Sequence, residues 1–345
     1  MTGFEPPLLD AIGRPLRSLR LSVTDRCNAR CKYCMPEQDY AWLPKERVLS
    51  FEELRTLAAL AVGSGVRSIR LTGGEPLLRN DLPTLVRMLS TIPNLEDLAL
   101  TTNGILLAPI AESLRASGLA RITVSLDTLK RERYASFTGT DQLSAVLKGL
   151  EAIRAAGFES TKINTVVLRG FNDDEISSML DFARRERVEL RFIEYMDVGG
   201  ATAWASSQVV SSEEILERIR TSHGSVEILP ARGSAPSQRY RTSEGVVFGV
   251  IASVTEPFCS ACDRARITAD GTLYTCLYGE IGTDLRRLLR QDGGEAELRR
   301  VFEDTWRLRE DEGAVNRAQE PERSAWVSVD RLRKEPRLEM HTRGG

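Results

Sequence analysis

Between Ser18 and about Met196 the chain alternates two hydrophobic rhythms. Short β-branched runs over 19–24, 68–72, 98–102, 122–126, 162–168 and 190–195 read as strands. Stretches with apolar residues at helical spacing, 51–62, 82–89, 110–116, 143–155 and 175–186, lie between them. Ser50-Phe51-Glu52-Glu53 is a capping box that opens the first helix, and Gly118 and Gly157 fall where helices should stop. Six such β/α units with right-handed crossovers curl into an incomplete barrel, whose working residues belong at the C-terminal strand ends. Thr24, Thr72, Thr101, Ser125 and Met196 all fall at or just after such ends.

After Gly199-Gly200 the rhythm changes. A helix over 212–220 leads into a Gly/Ser/Pro-rich connection, 231–237, and then to β-like segments 239–241, 246–253 and 264–268. Asp270-Gly271 supplies a hairpin turn before a last segment, 273–276. The pattern predicts an α/β chain: an incomplete (β/α)6 TIM-like barrel over 1–199 and a smaller α+β domain over 200–310. The charged, weakly periodic tail over 311–345 is expected to be mobile or conditionally ordered.

Composition narrows the classes without choosing one. The chain has 345 residues, 41% hydrophobic and 28% charged, as in an ordinary globular protein. A net charge of −2 argues against a nucleic-acid partner, so any polyanion must be held by local Arg and Lys. No run of 18 apolar residues and no basic-then-apolar leader appear, so neither secretion nor a membrane partner is expected. The six cysteines are then expected to be reduced metal ligands in the cytoplasm.

All six fall into two triplets. Cys27, Cys31 and Cys34 have the spacing C-x3-C-x2-C just after the first strand, and Cys259, Cys262 and Cys276 follow as C-x2-C-x13-C. A [4Fe–4S] cluster normally takes four thiolates, so each triplet would leave one iron open to a substrate or cosubstrate. A zinc site or inert structural thiols are the alternatives. Zinc wants a fourth ligand, and the only histidines are His223 and His341. The first triplet, with Tyr33 before its last cysteine, is similar to the cluster loop of radical S-adenosylmethionine (SAM) enzymes. Leu71-Thr72-Gly73-Gly74-Glu75-Pro76 reads either as a tight βα turn or, beside that triplet, as their glycine-glycine-glutamate element, where Glu75 receives the methionine ammonium. Arg20, Arg70, Lys162, Arg264 and Arg266 fall at strand ends or loops. They are solvated surface or, if they converge, a polyphosphate site, since no Walker A pattern is present. The terminal Gly344-Gly345 is a frayed end, a conjugation tail without the β-grasp pattern it needs, or a segment that threads a narrow crevice.

Together these stretches resemble the GTP 3′,8-cyclase family of molybdenum cofactor biosynthesis along nearly the whole chain. The resemblance rests on Leu19-Arg20-Leu21-Ser22-Val23-Thr24-Asp25-Arg26-Cys27, Thr72-Gly73-Gly74-Glu75-Pro76-Leu77, Thr101-Thr102-Asn103-Gly104 and Val124-Ser125-Leu126-Asp127-Thr128-Leu129. It continues through Ile163-Asn164, Arg191-Phe192-Ile193-Glu194-Tyr195-Met196, Cys262-Asp263-Arg264-Ala265-Arg266 and the Gly-Gly end. The 310–336 segment matches poorly, and Met340-His341-Thr342-Arg343 is more polar than the family's approach to that end.

The resemblance implies two [4Fe–4S] clusters and SAM as cofactors. Cys27, Cys31 and Cys34 would hold the SAM-cleaving cluster, with Tyr33, Gly74, Glu75, Ser125 and Met196 around SAM. Cys259, Cys262 and Cys276 would hold an auxiliary cluster facing the guanine. Arg20, Arg70, Thr101, Lys162, Arg264, Ala265 and Arg266 would hold GTP, with Arg264, Arg266, Gly344 and Gly345 in catalytic roles. The implied reaction takes hydrogen from ribose C3′ and joins C3′ to purine C8, giving (8S)-3′,8-cyclo-7,8-dihydroguanosine 5′-triphosphate. Implied partners are GTP, SAM, a flavodoxin- or ferredoxin-like electron donor, the next enzyme of the pathway and a second copy of the chain. Two rival readings remain, a radical SAM peptide maturase and a non-enzymatic iron–sulfur carrier or regulator.

Overall fold

Twelve strands among the described residues form one sheet. The computed structural model describes residues 7–230, 233–291 and 294–344, so part of the 231–237 connection and Gly345 lie outside it. The strands are β1 Ser18–Ser22, β2 Ser68–Thr72, β3 Asp97–Thr102, β4 Arg121–Ser125, β5 Lys162–Val167 and β6 Glu189–Glu194. They continue with β7 Val226–Ile228, β8 Gln238–Thr242, β9 Val247–Ile251, β10 Arg264–Ile267, β11 Thr272–Tyr274 and β12 Thr283–Asp284. Their spatial order is β12-β11-β10-β1-β2-β3-β4-β5-β6-β9-β8-β7. From β10 to β9 all neighbours are parallel, and the hairpins at both ends are antiparallel. The six expected strands appear with ends shifted by at most one residue, except that β1 ends two residues early.

The later strands build no sheet of their own. An open six-stranded parallel sheet leaves a row of unpaired backbone groups along β1 and another along β6. β10 fills the first and β9 the second, and each brings its hairpin with it. The 200–310 segment is thus an extension of the barrel wall on both edges.

Helices α1 Phe51–Gly63, α2 Leu82–Ser90, α3 Ala111–Ala116, α4 Arg131–Thr138, α5 Leu143–Ala155 and α6 Ile176–Glu186 cross over between the strands. At the start of α1, Ser50 Oγ accepts from the Glu53 amide at 3.2 Å, and the Glu53 carboxylate accepts from the Ser50 amide at 2.8 Å. This reciprocal cap is worth about 1 kcal/mol. Leu54, Leu57, Ala58 and Ala61 then form one fully buried stripe against the sheet. Each buried leucine contributes about 1.5–3 kcal/mol relative to exposure. The pattern missed α4, which buries only Tyr134, Phe137 and Thr138 in an otherwise charged octet.

Strand parity decides which residues face inward. Leu19, Leu21, Ile69, Leu71, Leu100, Ile122 and Val124 are fully buried in the outer core. The alternate positions Arg20 and Ser22, Arg70 and Thr72, Thr101, and Arg121, Thr123 and Ser125 form the other face. The barrel is lined with polar side chains.

After α7 Ser212–His223, α8 Leu285–Leu289 and α9 Gly294–Arg307, the chain does not fray. The tail, expected to be mobile or conditionally ordered, is folded in the structure: α10 Gly313–Ala318 and α11 Val329–Lys334 are followed by two turns of 3-10 helix, and Val327, Leu332, Leu338, His341 and Arg343 are buried. Charge hid this packing, because the tail is held by side-chain hydrogen bonds and ion pairs around a small apolar cluster. Among the described residues no helix is long and apolar enough to cross a membrane.

Candidate active site

The first cysteine triplet sits on the loop leaving β1, and backbone contacts hold that loop in place. The amides of Gly74 and Glu75 donate to Thr24 O at 3.0 Å and Arg26 O at 2.7 Å. A Cβ on Gly74 would lie 2.3 Å from Arg26 O, so glycine is required for the two loops to touch. On the other side, the amides of Arg30 and Lys32 donate to Thr138 O and Phe137 O at the end of α4. The Arg30 guanidinium reaches back to Cys27 O at 3.1 Å and Ala29 O at 3.0 Å.

All three thiols are free and half-buried. Burial pushes the Cys27 thiol up to about 11 and raises Cys31 and Cys34 as well; Asp127 and the other two thiols add to the pressure on Cys31. Three thiols that resist ionisation and repel one another as thiolates form a donor set that needs positive charge between them. Iron supplies that charge, and the residues fit it. Among the described residues no Cys, His, Asp or Glu group closes on one point as ligands of a single ion do. A cubane asks instead for one thiolate on each of three separate irons.

Of the residues expected around SAM, Gly74 and Glu75 touch this loop and Tyr33 and Ser125 share a cleft beside it. Ser125, Asp127 and Asn103 line a small cleft with Cys31, Tyr33 and Phe137. Tyr33 Oη donates to Asp127 Oδ2 at 3.1 Å, and the Val166 amide donates to Asp127 Oδ1 at 2.8 Å. Burial nevertheless raises the Asp127 carboxyl to about 7. Glu75 is 1% exposed and already accepts from the Leu77 amide, Thr102 Oγ1 and the Asn103 amide at 2.7–3.0 Å. Burial raises it to about 7 despite these bonds. Its visible work is to clamp the end of β3, while Asn103 Nδ2 donates to Asn28 Oδ1 at 2.8 Å inside the cysteine loop. Met196, two residues beyond β6, is half-buried.

The basic residues do converge, all from strands and all on the inner face. Lys162 and Arg264 open β5 and β10 at strand ends as expected, whereas Arg20, Arg70 and Arg266 lie within their strands, a correction to the expected ends and loops that follows from parity. Register aligns Arg266 with Arg20 and Arg20 with Arg70, so three guanidiniums stand in one row across neighbouring strands. Arg70 Nη1 donates to Thr101 Oγ1 at 3.0 Å and Thr123 Oγ1 at 3.2 Å. Ala265 points the other way, with 1% exposure in the outer core, so only its backbone is available to a ligand. Sequence reasoning missed Arg121, Arg191 and Arg239 as members of this face. The alternations Arg121-x-Thr123-x-Ser125 and Glu189-x-Arg191 carried the signal. Among the described residues this face carries Arg20, Arg70, Arg121, Lys162, Arg191, Arg239, Arg264 and Arg266 together with two strand carboxylates, Asp97 paired with Arg121, and Glu189 paired with Lys162, Arg191 and Arg239. Arg20 is pushed down by burial first and then by Arg266, Arg70 and Arg264. Burial and Arg264 do the same to Arg266. Guanidiniums stay charged in proteins, so this crowding favours an incoming polyanion.

The second triplet lies at the opposite end of the same strands. Arg264 pairs with Ser18 at the start of β1, and Cys262 is just before it. Cys276 returns to the same level, because β11 runs antiparallel to β10 with Tyr274 opposite Arg266. The first triplet follows the other end of β1. The four steps from Ser18 to Ser22 between them cover about 13 Å at roughly 3.3 Å per residue. Buried Arg14 and Arg309 hold this end: Arg14 Nη1 donates to Cys259 O at 3.0 Å, and Arg309 Nη1 to Cys262 O at 2.8 Å. Burial works against a thiolate at Cys262, but Arg264 and Arg309 outweigh it and hold the thiol below its ordinary range. Cys276 is raised by burial and by Asp311.

The chain end enters between the two triplets. Arg343 is 1% exposed, with Nη1 donating to Leu277 O at 2.9 Å and also to Gly279 O, just after Cys276. Arg266 Nη1 donates to Arg343 O at 3.2 Å, and Arg20 Nη1 to Gly344 O at 3.1 Å. The polar approach is absorbed by aromatic contacts, with His341 edge-on to Tyr40 and Trp42 at 5.2 and 5.7 Å. Two arginines expected to bind substrate therefore also bind the chain's own end.

The chain matches the Radical SAM superfamily over residues 21–183 and Molybdenum Cofactor Synthesis C over residues 188–315. It is 46% identical over 345 residues to GTP 3′,8-cyclase 3 of Mycobacterium bovis, covering 99% of this chain and 91% of that protein. To GTP 3′,8-cyclase 1 of Mycobacterium tuberculosis it is 47% identical over 340 residues, covering 97% and 95%. To the GTP 3′,8-cyclase of Staphylococcus carnosus it is 38% identical, covering 98% and 99%. Among solved structures, Streptococcus suis SuiB bound to S-adenosylmethionine superposes with a TM-score of 0.56 at 17% identity, over 83% of this chain and 68% of that one. The enzyme anSMEcpe with bound AdoMet gives 0.52 at 16%, over 82% and 80%. These two likenesses concern the fold, a radical SAM partial barrel.

Proposed function

The chain belongs to the GTP 3′,8-cyclase family of the radical SAM superfamily, and we propose how its own residues divide the work of that reaction. Its activity is the first step of molybdenum cofactor biosynthesis, with SAM and GTP as substrates and a [4Fe–4S] cluster as the family's resident group. One observation carries the finer reading: the two cysteine triplets lie at opposite ends of the same strands, whose inner face is crowded with guanidiniums.

Cys27, Cys31 and Cys34 would hold the [4Fe–4S] cluster, which with SAM would supply one-electron chemistry at ribose C3′. Tyr33, Gly74, Glu75, Ser125 and Met196 shape the SAM side, where Glu75 acts through the loops that it clamps. Arg20, Arg70, Lys162, Arg264 and Arg266 grip the triphosphate, and Thr101 and the Ala265 backbone complete its seat. Cys259, Cys262 and Cys276 would hold a second [4Fe–4S] cluster, and three thiolates would leave it able to take a ligand from the guanine. The division fits the reaction, because C3′ must be held against C8 and away from water and stray hydrogen donors. Gly344 lies against Arg20, next to Arg343 on Arg266, and closes this face; Gly345, expected to act with it, lies outside the described residues. The surrounding expectations are a cytoplasmic enzyme with a flavodoxin- or ferredoxin-like donor, product passed to the next enzyme and a possible homodimer.

The test is anaerobic reconstitution followed by product analysis. The wild type should bind about eight irons, as two cubanes require, and should yield deoxyadenosine and a cyclised nucleotide from SAM and GTP. Cys276→Ala should keep about four irons and lose GTP affinity. Full GTP affinity in that variant would remove the second cluster from substrate binding.

A further inference from the structure

Asp197 is fully buried one residue beyond Met196, outside every role given above. Its carboxylate is saturated by residues from two distant segments. Oδ1 accepts from Tyr278 Oη at 2.7 Å and from Arg323 Nη2 at 2.9 Å. Oδ2 accepts from Arg317 Nε at 2.8 Å and from Arg323 Nε at 3.1 Å. Its backbone oxygen accepts from the Trp326 amide at 3.0 Å.

Each partner leads somewhere useful. Tyr278 belongs to the turn that follows Cys276, and its ring meets Trp326 edge-on at 5.5 Å. The Arg343 guanidinium lies 5.4 Å from the Trp326 ring and bonds to Leu277 O and Gly279 O in the same turn. Gly344 follows, on Arg20. In the other direction the Asp197 loop continues to Gly200, which is so close to Cys34 that a Cβ would overlap its carbonyl. One carboxylate thus joins the first cysteine loop, the turn after Cys276 and the poorly matching 310–336 segment.

We propose that Asp197 is a positioning residue: through Arg317, Arg323, Tyr278 and Trp326 it sets the depth at which Arg343 and Gly344 enter the chamber. A charge is needed because four donors converge on two oxygens. A neutral amide of the same shape offers one acceptor oxygen and adds two donors of its own. The 310–336 segment is accordingly the chain's own strap over the site, and its arginines are matched to this aspartate. The proposal rests on the cyclase reading for its turnover arm only.

The experiment uses the reconstituted holoenzyme and Asp197→Asn. Hydrogen exchange of the amides at 338–344 should speed up by roughly tenfold or more, the scale of one lost charge-assisted hydrogen bond, while β1 to β6 stay protected. Deoxyadenosine formation should persist, with cyclised nucleotide per deoxyadenosine falling by a similar factor. If Asp197→Asn does not fold, Arg323→Gln decides in the same way, and Arg323→Lys should recover part of the loss. Unchanged exchange at 338–344 overturns the proposal. So does a proportional fall of both products with faster exchange throughout, which marks a merely structural residue. A wild type that makes no cyclised nucleotide would overturn the cyclase reading instead, and the exchange arm would still decide the role of Asp197.

Discussion

The Arg20 guanidinium donates to the carbonyl oxygen of Gly344 at 3.1 Å, joining the first barrel strand to a residue 324 positions further along the chain. The chain end is thereby seated among the side chains that the wall presents to a triphosphate. In the proposed reading substrate and chain end share Arg20 and Arg266, which would seat the end beside the substrate as part of its enclosure.

Gly344 should tolerate no side chain. Its φ is +75°, and an added Cβ would lie 2.4 Å from Thr72 Oγ1 and 2.7 Å from Ser22 Oγ. Overpacking of this kind costs about 1–3 kcal/mol, enough to lift the end out of its seat. Gly344→Ala should therefore lower cyclised nucleotide per deoxyadenosine by about tenfold or more while the melting temperature changes little. An unchanged product ratio would show that the seat is not used in turnover.

Arg266→Ala should weaken GTP far more than SAM. Losing one charge-assisted phosphate contact costs about 1.5–3 kcal/mol, or roughly 10- to 100-fold in Kd by calorimetry. The ligand-free variant should be at least as stable as the parent, because Arg266 crowds Arg20 and Arg264. Equal losses for both ligands would point to damage to the fold.

Asp127 gives a pH signature. Its folded-state carboxyl is raised to about 7 by burial, so between pH 4 and 7 the folded chain holds a proton that the unfolded chain has released. Stability from this group therefore falls as pH rises through that window and levels off above it. Asp127→Asn, which mimics the neutral form, should gain on the wild type across the same range, by on the order of 1–4 kcal/mol in ligand-free protein. Urea midpoints at pH 4 and 7.5 measure it; a pH-independent difference would mean that Asp127 is ionised throughout.

The six barrel strands, six of the helices and both cysteine triplets were legible because their signals are local. Ser50 and Glu53 cap α1 within one turn, and Cys27, Cys31 and Cys34 are neighbours whatever the rest of the chain does. α4 was not legible, because its charged octet buries only Tyr134, Phe137 and Thr138. Arg121 and Arg191 were written plainly in the strand alternation, yet their roles needed the parity of each strand to be followed across the sheet. The packing of the tail was hidden for a different reason. Its charge suggested solvent, whereas Arg317 and Arg323 meet a buried Asp197 that precedes them by more than a hundred residues.

By itself, then, the order of amino acids determined the β/α alternation and the two sets of thiols, since periodicity and short spacing act before any distant contact forms. Only the tertiary structure decided that β9 and β10 would fill opposite edges of one sheet, which put the two triplets at opposite ends of the same strands. It also decided that eight basic side chains would share one face and that the chain would close on itself at Arg20. Those outcomes turn on which backbone edges remain unpaired and which buried charges still lack a partner, and both are settled only when segments far apart in the chain have met.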